Sequence, residues 1–183
     1  MDLVILDRDG VINYDSPEFI KSPSEWRAIP GSLQSIAALT AAGVRVAIAT
    51  NQSGVGRGLF DSADLTAIHT HMVEEIEAAG GAIDMIAVCP HAPDEGCQCR
   101  KPRSGLLTQI AERFQQSIPL SGVPVIGDSC RDIVAARSLG ARAILVLTGN
   151  GSSTAAELED DSSLEIFANL SDAVDNLLGE DKP

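Results

Sequence analysis

Asp7-Arg8-Asp9-Gly10 sets two carboxylates two residues apart directly after the apolar run Leu3–Leu6, followed by a glycine that allows a sharp turn. Further on, Thr50-Asn51-Gln52-Ser53-Gly54 offers small hydrogen-bonding groups suited to phosphate oxygens. Arg100-Lys101-Pro102 supplies cations, and Gly127-Asp128-Ser129 brings another carboxylate, with Asp132 one helical turn beyond it. Together these groups can perform phosphoryl transfer. A carboxylate such as Asp7 can attack phosphorus and form an aspartyl-phosphate. The charges that meet there call for a hard cation held by oxygen, to which Asp7, Asp128 and a backbone carbonyl near Asp9 can contribute. Thr50 and Lys101 can hold the transferring oxygens as their charge shifts. Asp9 is placed to protonate the leaving oxygen and afterwards to take a proton from water.

These groups need a scaffold that brings them together, and the hydrophobic pattern supplies one. Val- and Ile-rich runs at Leu3–Leu6, Val44–Ala49, Met85–Cys89, Val123–Ile126, Ala143–Leu147 and, more weakly, Ile166–Phe167 read as strands buried on both faces. Helix signals lie between them. Pro30-Gly31-Ser32 opens one that stops at Gly43, and Asp61 or Ser62 caps one carrying Leu65, Ile68, Met72 and Ile76. Ser104 precedes Leu107, Ile110, Ala111 and Phe114, and Asp128 or Ser129 precedes Ile133, Ala136 and Leu139. Strands alternating with helices predict an α/β fold, a parallel sheet with helices on both faces, whose ligands bind at the carboxyl ends of the strands. Each chemical group named above follows its own strand. The 183 residues suit a single domain. Segment 11–27, with Asn13, Tyr14 and Trp26, is too long for a turn and is expected to fold over the site as a flap. Segment 149–163 is polar with a short acidic helix, and the tail 179–183 is expected to fray.

D-x-D-G, a strand-end threonine, a lysine and G-D-x-x-x-D, in that order, resemble the four motifs of the haloacid dehalogenase (HAD) superfamily. The resemblance implies a HAD-like Rossmannoid domain without a large cap, with Asp7 as nucleophile, Asp9 as general acid and base, Thr50 and Lys101 as phosphate binders, and Asp128 as the magnesium ligand. Asp132 then orients Lys101 or the metal shell.

Cys89-Pro90-His91 and Cys97-Gln98-Cys99 form C-x-H followed by C-x-C. Three thiolates and an imidazole make a tetrahedral zinc set with no position open to water, so the loop 89–99 reads as a structural zinc site that would fix the approach of Arg100 and Lys101. Within a HAD chain, C-x-H…C-x-C-R-K-P resembles the D-glycero-D-manno-heptose-1,7-bisphosphate 7-phosphatases, as do Phe19-Ile20-Lys21-Ser22-Pro23, Ile29-Pro30-Gly31 and Arg57-Gly58. This implies removal of the 7-phosphate of a heptose bisphosphate destined for the lipopolysaccharide inner core, with Arg57 and Arg100 binding the sugar or the retained phosphate. Histidinol-phosphate phosphatases carry a very similar zinc loop and are the nearest alternative.

Net charge is −13 with a pI near 4.4, and aromatic residues make up 3%. Such a chain repels polyanions and offers few stacking platforms, which weighs against nucleic-acid binding and a polynucleotide 3′-phosphatase. A phospho-accepting receiver places similar groups at strand ends, but Asp9 favours turnover and the zinc loop has no role there. No apolar run reaches membrane-spanning length or forms a signal-peptide core, so a cytoplasmic monomer acting on a small phosphorylated sugar is expected. His69 and His71 are expected to be solvated, Cys130 to be a small packing residue, and Glu157–Asp161 to serve solubility.

Overall fold

A computed structural model describes residues 1–180. Six parallel strands form one sheet in the order β3-β2-β1-β4-β5-β6: β1 (Leu3–Leu6), β2 (Arg45–Asn51), β3 (Met85–Cys89), β4 (Pro124–Gly127), β5 (Arg142–Val146) and β6 (Glu165–Phe167). The order reverses direction between β1 and β4. A crevice opens there at the carboxyl ends, where the loops of adjacent strands diverge to opposite faces. Leu3–Leu6 is buried at every position, as a central strand covered on both faces must be.

The helices divide between the faces. On one lie α1 (Ser32–Ala41), α3 (Ser62–Ala78) and α7 (Leu170–Glu180), packed over Val4, Leu6, Val46 and Ile48. On the other lie α4 (Gly105–Arg113), α5 (Cys130–Ser138) and α6 (Gly151–Glu157), over Leu3, Ile5, Ala47 and Val125. Alternate residues of each strand thus feed two separate cores. The remaining helix, α2, is a single turn at Ser53–Gly56 following β2.

The expected α/β architecture is present, with strand limits shifted by one or two residues. Asp61 caps α3: its carboxylate accepts from the Ala63 and Asp64 N–H groups at 2.7 and 2.9 Å. Ser129 caps α5 and shares a capping box with Asp132. The acidic helix expected in 149–163 is α6. Helix α7 was not anticipated, although Leu170, Ala173, Val174 and Leu177 recur at helical spacing and are buried. It includes Gly179 and Glu180, while the rest of the tail lies outside the described residues. Glu157–Asp161 does more than aid solubility, because Asp161 pairs with Arg137 and accepts from Ser163.

Candidate active site

Loops following β1, β2, β4 and β5, together with the segment after β3, enclose a cavity of about 260 Å³ at the switch point. Asp7, Asp9, Thr50, Asn51, Gln52, Ser53, Arg57, Arg100, Lys101 and Asp128 all line it. The strand-end reading therefore converges on one place.

Lys101 is its electrostatic centre. The buried ammonium lies 2.9 Å from Asp7 Oδ1 and 2.5 Å from Asp132 Oδ1, and donates to the Ala49 carbonyl at 2.7 Å. Burial opposes its charge, but Asp132 and Asp7 outweigh that and raise its pKa. Asp132 is itself held by Ser129, whose N–H and hydroxyl donate to Oδ2 at 3.1 and 2.5 Å. Asp132 is thus held in place on one side and paired with Lys101 on the other. Asn51 braces the same lysine: its Nδ2 donates to the Lys101 carbonyl and its Oδ1 accepts from the Lys101 N–H, both at 3.1 Å. One N–H and one lone pair of the Asn51 amide are used in this way, and the residue also lines the cavity.

Asp7, Asp128 and Asp132 place carboxylate oxygens within 4.8 Å of one another. Burial, then the neighbouring carboxylates, push the Asp7 carboxyl up to about 8 against the pull of Lys101. Asp128 is raised by burial too, and its Oδ2 accepts from the N–H and Nδ2 of Asn150 at 2.7 and 3.0 Å. Gly10, at φ 81°, and Gly149, at φ 57°, close around that carboxylate so tightly that a Cβ on either would overlap Asp128 Oδ2. This is the physical reason for the glycine in the Asp7-Arg8-Asp9-Gly10 turn.

The Asp9 side chain lies outside the carboxylate cluster. Its Oδ1 accepts from Asn13 Nδ2 at 2.8 Å and its Oδ2 from Gln52 Nε2 at 2.8 Å, while Arg8 grips both oxygens. Although burial raises its pKa, Arg8, Asn13 and Gln52 bring it below the ordinary value. Gln52 also donates to Thr50 Oγ1 at 2.8 Å, linking the two strand ends.

The cysteine loop converges as its spacing suggested. Cys89 Sγ lies 3.6 Å from Cys97 Sγ and from His91 Nδ1, and His91 Nδ1 lies 3.2 Å from Cys99 Sγ. All four donor atoms fall within 4.8 Å of one another. A tetrahedron with Zn–S bonds of about 2.3 Å has edges of about 3.8 Å, close to these spacings. Burial pushes the Cys89 thiol up to about 12. At Cys97, burial is outweighed by the Arg100 N–H and neighbouring donors, which draw the thiol to about 7. The loop is docked on the β2 end, where the Gln52 N–H donates to the Cys89 carbonyl at 2.7 Å and the Gly56 N–H to the Pro90 carbonyl at 2.8 Å.

Segment 11–27 is pinned at both ends. The Tyr14 N–H donates to the Arg27 carbonyl at 3.0 Å and the Ile29 N–H to the Ile12 carbonyl at 2.9 Å, while Ile20 and Trp26 enter the core. Its middle carries Asp15, Ser16, Phe19 and Ile20 to the cavity wall. Arg57 sits over the Phe19 ring at 5.8 Å, and Arg100 Nη1 is buried with no hydrogen-bond partner among the described residues.

Several contributors escaped the sequence reading. Asn150 follows β5 and Arg131 lies on α5, and both border the cavity; the rule of inspecting every strand end would have found Asn150. Arg8 is buried, and His69 and His71 are not solvated as expected. His69 Nε2 contacts Arg8 at 3.1 Å, and His71 meets the Trp26 ring edge-on at 5.7 Å. His69 stands four residues after Leu65 and three before Met72, which places it beside the buried stripe.

Known proteins match this arrangement closely. A HAD-hydrolase-like family model matches residues 98–173. The D-glycero-beta-D-manno-heptose-1,7-bisphosphate 7-phosphatase of Bordetella bronchiseptica is 50% identical over 98% of this chain and 99% of its own. The chain belongs to this heptose bisphosphate phosphatase family. A crystal structure of the D,D-heptose 1,7-bisphosphate phosphatase from B. bronchiseptica, complexed with magnesium and phosphate, superposes with a TM-score of 0.94 at 50% identity, covering 98% of this chain and 99% of that one. A family relative named for the other anomer, the D-glycero-alpha-D-manno-heptose-1,7-bisphosphate 7-phosphatase of Mycobacterium bovis, is 36% identical over 76% of this chain and 74% of its own.

Proposed function

We propose that this phosphomonoesterase removes the 7-phosphate of D-glycero-β-D-manno-heptose 1,7-bisphosphate through an aspartyl-phosphate on Asp7. The observation that carries the reading is the carboxylate cluster in the cavity: Asp7, Asp128 and Asp132 place oxygens within 4.8 Å of one another, with Lys101 as the one cation paired to them among the described residues. The excess negative charge there suits a magnesium ion. Asp7, Asp128 and the Asp9 main-chain carbonyl would hold it, where it would neutralise the nucleophile and the phosphate.

In the first step an Asp7 carboxylate oxygen bonds to phosphorus and the bond to the sugar oxygen breaks. The electron pair stays on that oxygen, which takes a proton from Asp9; the free Asp9 carboxyl is held ionised by Arg8, Asn13 and Gln52, so that proton arrives with the monoanion of the phosphate ester. In the second, Asp9 takes a proton from water as the water oxygen bonds to phosphorus, and the bond to Asp7 breaks. One water is consumed, and a sugar alcohol and inorganic phosphate are released. Thr50 and Lys101 hold the phosphoryl oxygens throughout, with Ser53 beside them; Asn51 and Gln52 keep Lys101, Thr50 and Asp9 in register. Arg57 and Arg100 take the sugar or the retained phosphate, for which the unpartnered Arg100 Nη1 is suited. Cys89, His91, Cys97 and Cys99 bind structural zinc, which fits a reducing cytoplasm. The fold is read as a monomeric single domain. The β anomer is favoured because relatives named for it reach 50% identity or more, against 36% for the α-named relative.

The test is magnesium-dependent phosphate release from both heptose bisphosphate anomers beside histidinol phosphate, with Asp7→Asn as control. Preference for the β bisphosphate is expected. Preference for histidinol phosphate would keep the mechanism and refute the substrate, and release by Asp7→Asn would refute the nucleophile.

A further inference from the structure

Arg8 heads the largest fully buried side chains and is 1% exposed. A guanidinium at that depth must satisfy its donors within the protein. Two corners of the fork do so on Asp9: Nε lies 3.1 and 3.2 Å from its two oxygens, and Nη2 lies 2.9 Å from Oδ1. The third corner, Nη1, meets His69 Nε2 at 3.1 Å, reaching across to α3, a helix that contributes nothing else to the cavity wall. Because arginine has only donors, Nε2 must accept, which places the imidazole proton on Nδ1. Burial, then the Arg8 charge, hold the His69 pKa down to about 4, so the ring is neutral and able to accept at ordinary pH.

We propose that His69 is a positioning residue for the acid–base step: by holding the third corner of the Arg8 guanidinium, it fixes the plane in which the other two corners grip the Asp9 carboxylate. The inference rests on the reading of Asp9 as general acid and base. A planar fork held at only two corners can tilt about the axis through them, and Asp9 would turn with it. Asn13 and Gln52 each hold one Asp9 oxygen, but neither sets the carboxylate plane.

Leaving-group chemistry tests this. A sugar alkoxide needs a proton to depart, whereas p-nitrophenolate leaves without one. Single-turnover formation of the phospho-enzyme is measured with the heptose bisphosphate and with p-nitrophenyl phosphate, for His69→Leu, His69→Gln and Asp9→Asn, all with magnesium and zinc loaded. Asp9→Asn should show the full selective loss on the alkyl ester, of the order of 10²–10⁴-fold. His69→Leu should lose about tenfold or more in the alkyl-to-aryl rate ratio, a part of that effect, and His69→Gln should recover most of it by offering an oxygen to Nη1. If His69→Leu folds poorly in a thermal melt, His69→Ala removes the same acceptor without added bulk. An unchanged ratio in the acceptor-free variants, equal losses on both esters, or no recovery in His69→Gln would overturn the positioning role and leave the Asp9 reading intact. An Asp9→Asn variant with no leaving-group dependence would overturn both.

Discussion

Replacing Asp132 with asparagine should separate the buried ion pair from everything else that residue does. The side chain keeps its volume, which matters because a Cβ on neighbouring Gly127 would already collide with it. An amide oxygen can still accept from Ser129, so the start of α5 stays capped. What disappears is the charge 2.5 Å from Lys101 Nζ, between side chains 4% and 2% exposed, where solvent screens little. Stripping one partner from a buried pair costs about 3–5 kcal/mol. Lys101 retains Asp7 at 2.9 Å and the Ala49 carbonyl at 2.7 Å. We therefore expect a loss of about 2–3 kcal/mol, somewhat below that range. At about 2–4 °C per kcal/mol for a chain of this length, the melting temperature should fall by about 4–12 °C. The lysine will then swing wholly toward Asp7 and away from the phosphate, lowering kcat by up to about 10²–10³-fold, the range for a lost transition-state donor. Differential scanning fluorimetry and steady-state phosphate release read the two effects. Stability and kcat both equal to the parent would refute the pairing, and a lower melting temperature with unchanged kcat would show that Asp132 serves the fold without orienting Lys101.

Asp7→Asn should abolish turnover, read as phosphate release, while changing the stability of the metal-free protein little at neutral pH, where the buried Asp7 carboxyl already carries a proton. Replacing Cys97 and Cys99 with serine should remove zinc, measured by elemental analysis, and lower activity as the loop loses its hold on Lys101. The Asp7 carboxyl, raised from 3.8 to about 8, binds a proton in the folded metal-free state that the unfolded chain has already released. Its contribution to stability is therefore present below pH 3.8 and lost as pH rises through about 8, so metal-free melting temperatures should fall across that window. Magnesium must displace the same proton, and calorimetry in buffers of different ionisation enthalpy should detect proton release below pH 8 that fades above it.

The strands, the four motif positions and the Cys/His cluster could be read in the sequence because each depends on local information. Buried parallel strands are short apolar runs, and polar groups at their ends, such as Asp7, Thr50 and Asp128, announce themselves by position. The four donors of the cluster lie within eleven residues, Cys89 through Cys99, so their convergence needs no knowledge of the fold. Groups recruited across the structure escaped. His69 reaches Arg8 over 61 positions, and its helix pattern fits a polar flank as well as a buried one. Arg8 lies between two aspartates in a motif whose middle position carries no fixed chemistry, and only the depth of β1 forces its side chain into the protein. Asn51 reads as a phosphate donor from its neighbours, and the reciprocal pair its amide also closes with a peptide 50 residues away could not be read there. Partnerships of this kind depend on which strands are adjacent, and the sheet order alone settles that.

The chain as a whole and its cavity carry opposite electrostatic instructions. A net charge of −13 repels anions at long range, most strongly those with many charges. Within the cavity five cations, Arg8, Arg57, Arg100, Lys101 and Arg131, face five carboxylates, Asp7, Asp9, Asp15, Asp128 and Asp132, and Arg57, Arg100 and Arg131 make no ion pair with them among the described residues. Their attraction is short-ranged, falling away within about 8 Å at physiological salt. A small ester that diffuses to the mouth meets it, whereas an extended polyanion must lay most of its charge against an acidic surface. Selection for a compact bisphosphate can thus arise from two length scales of the same charge distribution. It follows that Arg100→Gln should weaken the bisphosphate far more than a monophosphate of the same sugar. An equal loss of kcat/KM on both would mean that Arg100 serves the transferring phosphate and leaves the retained one to Arg57 or Arg131.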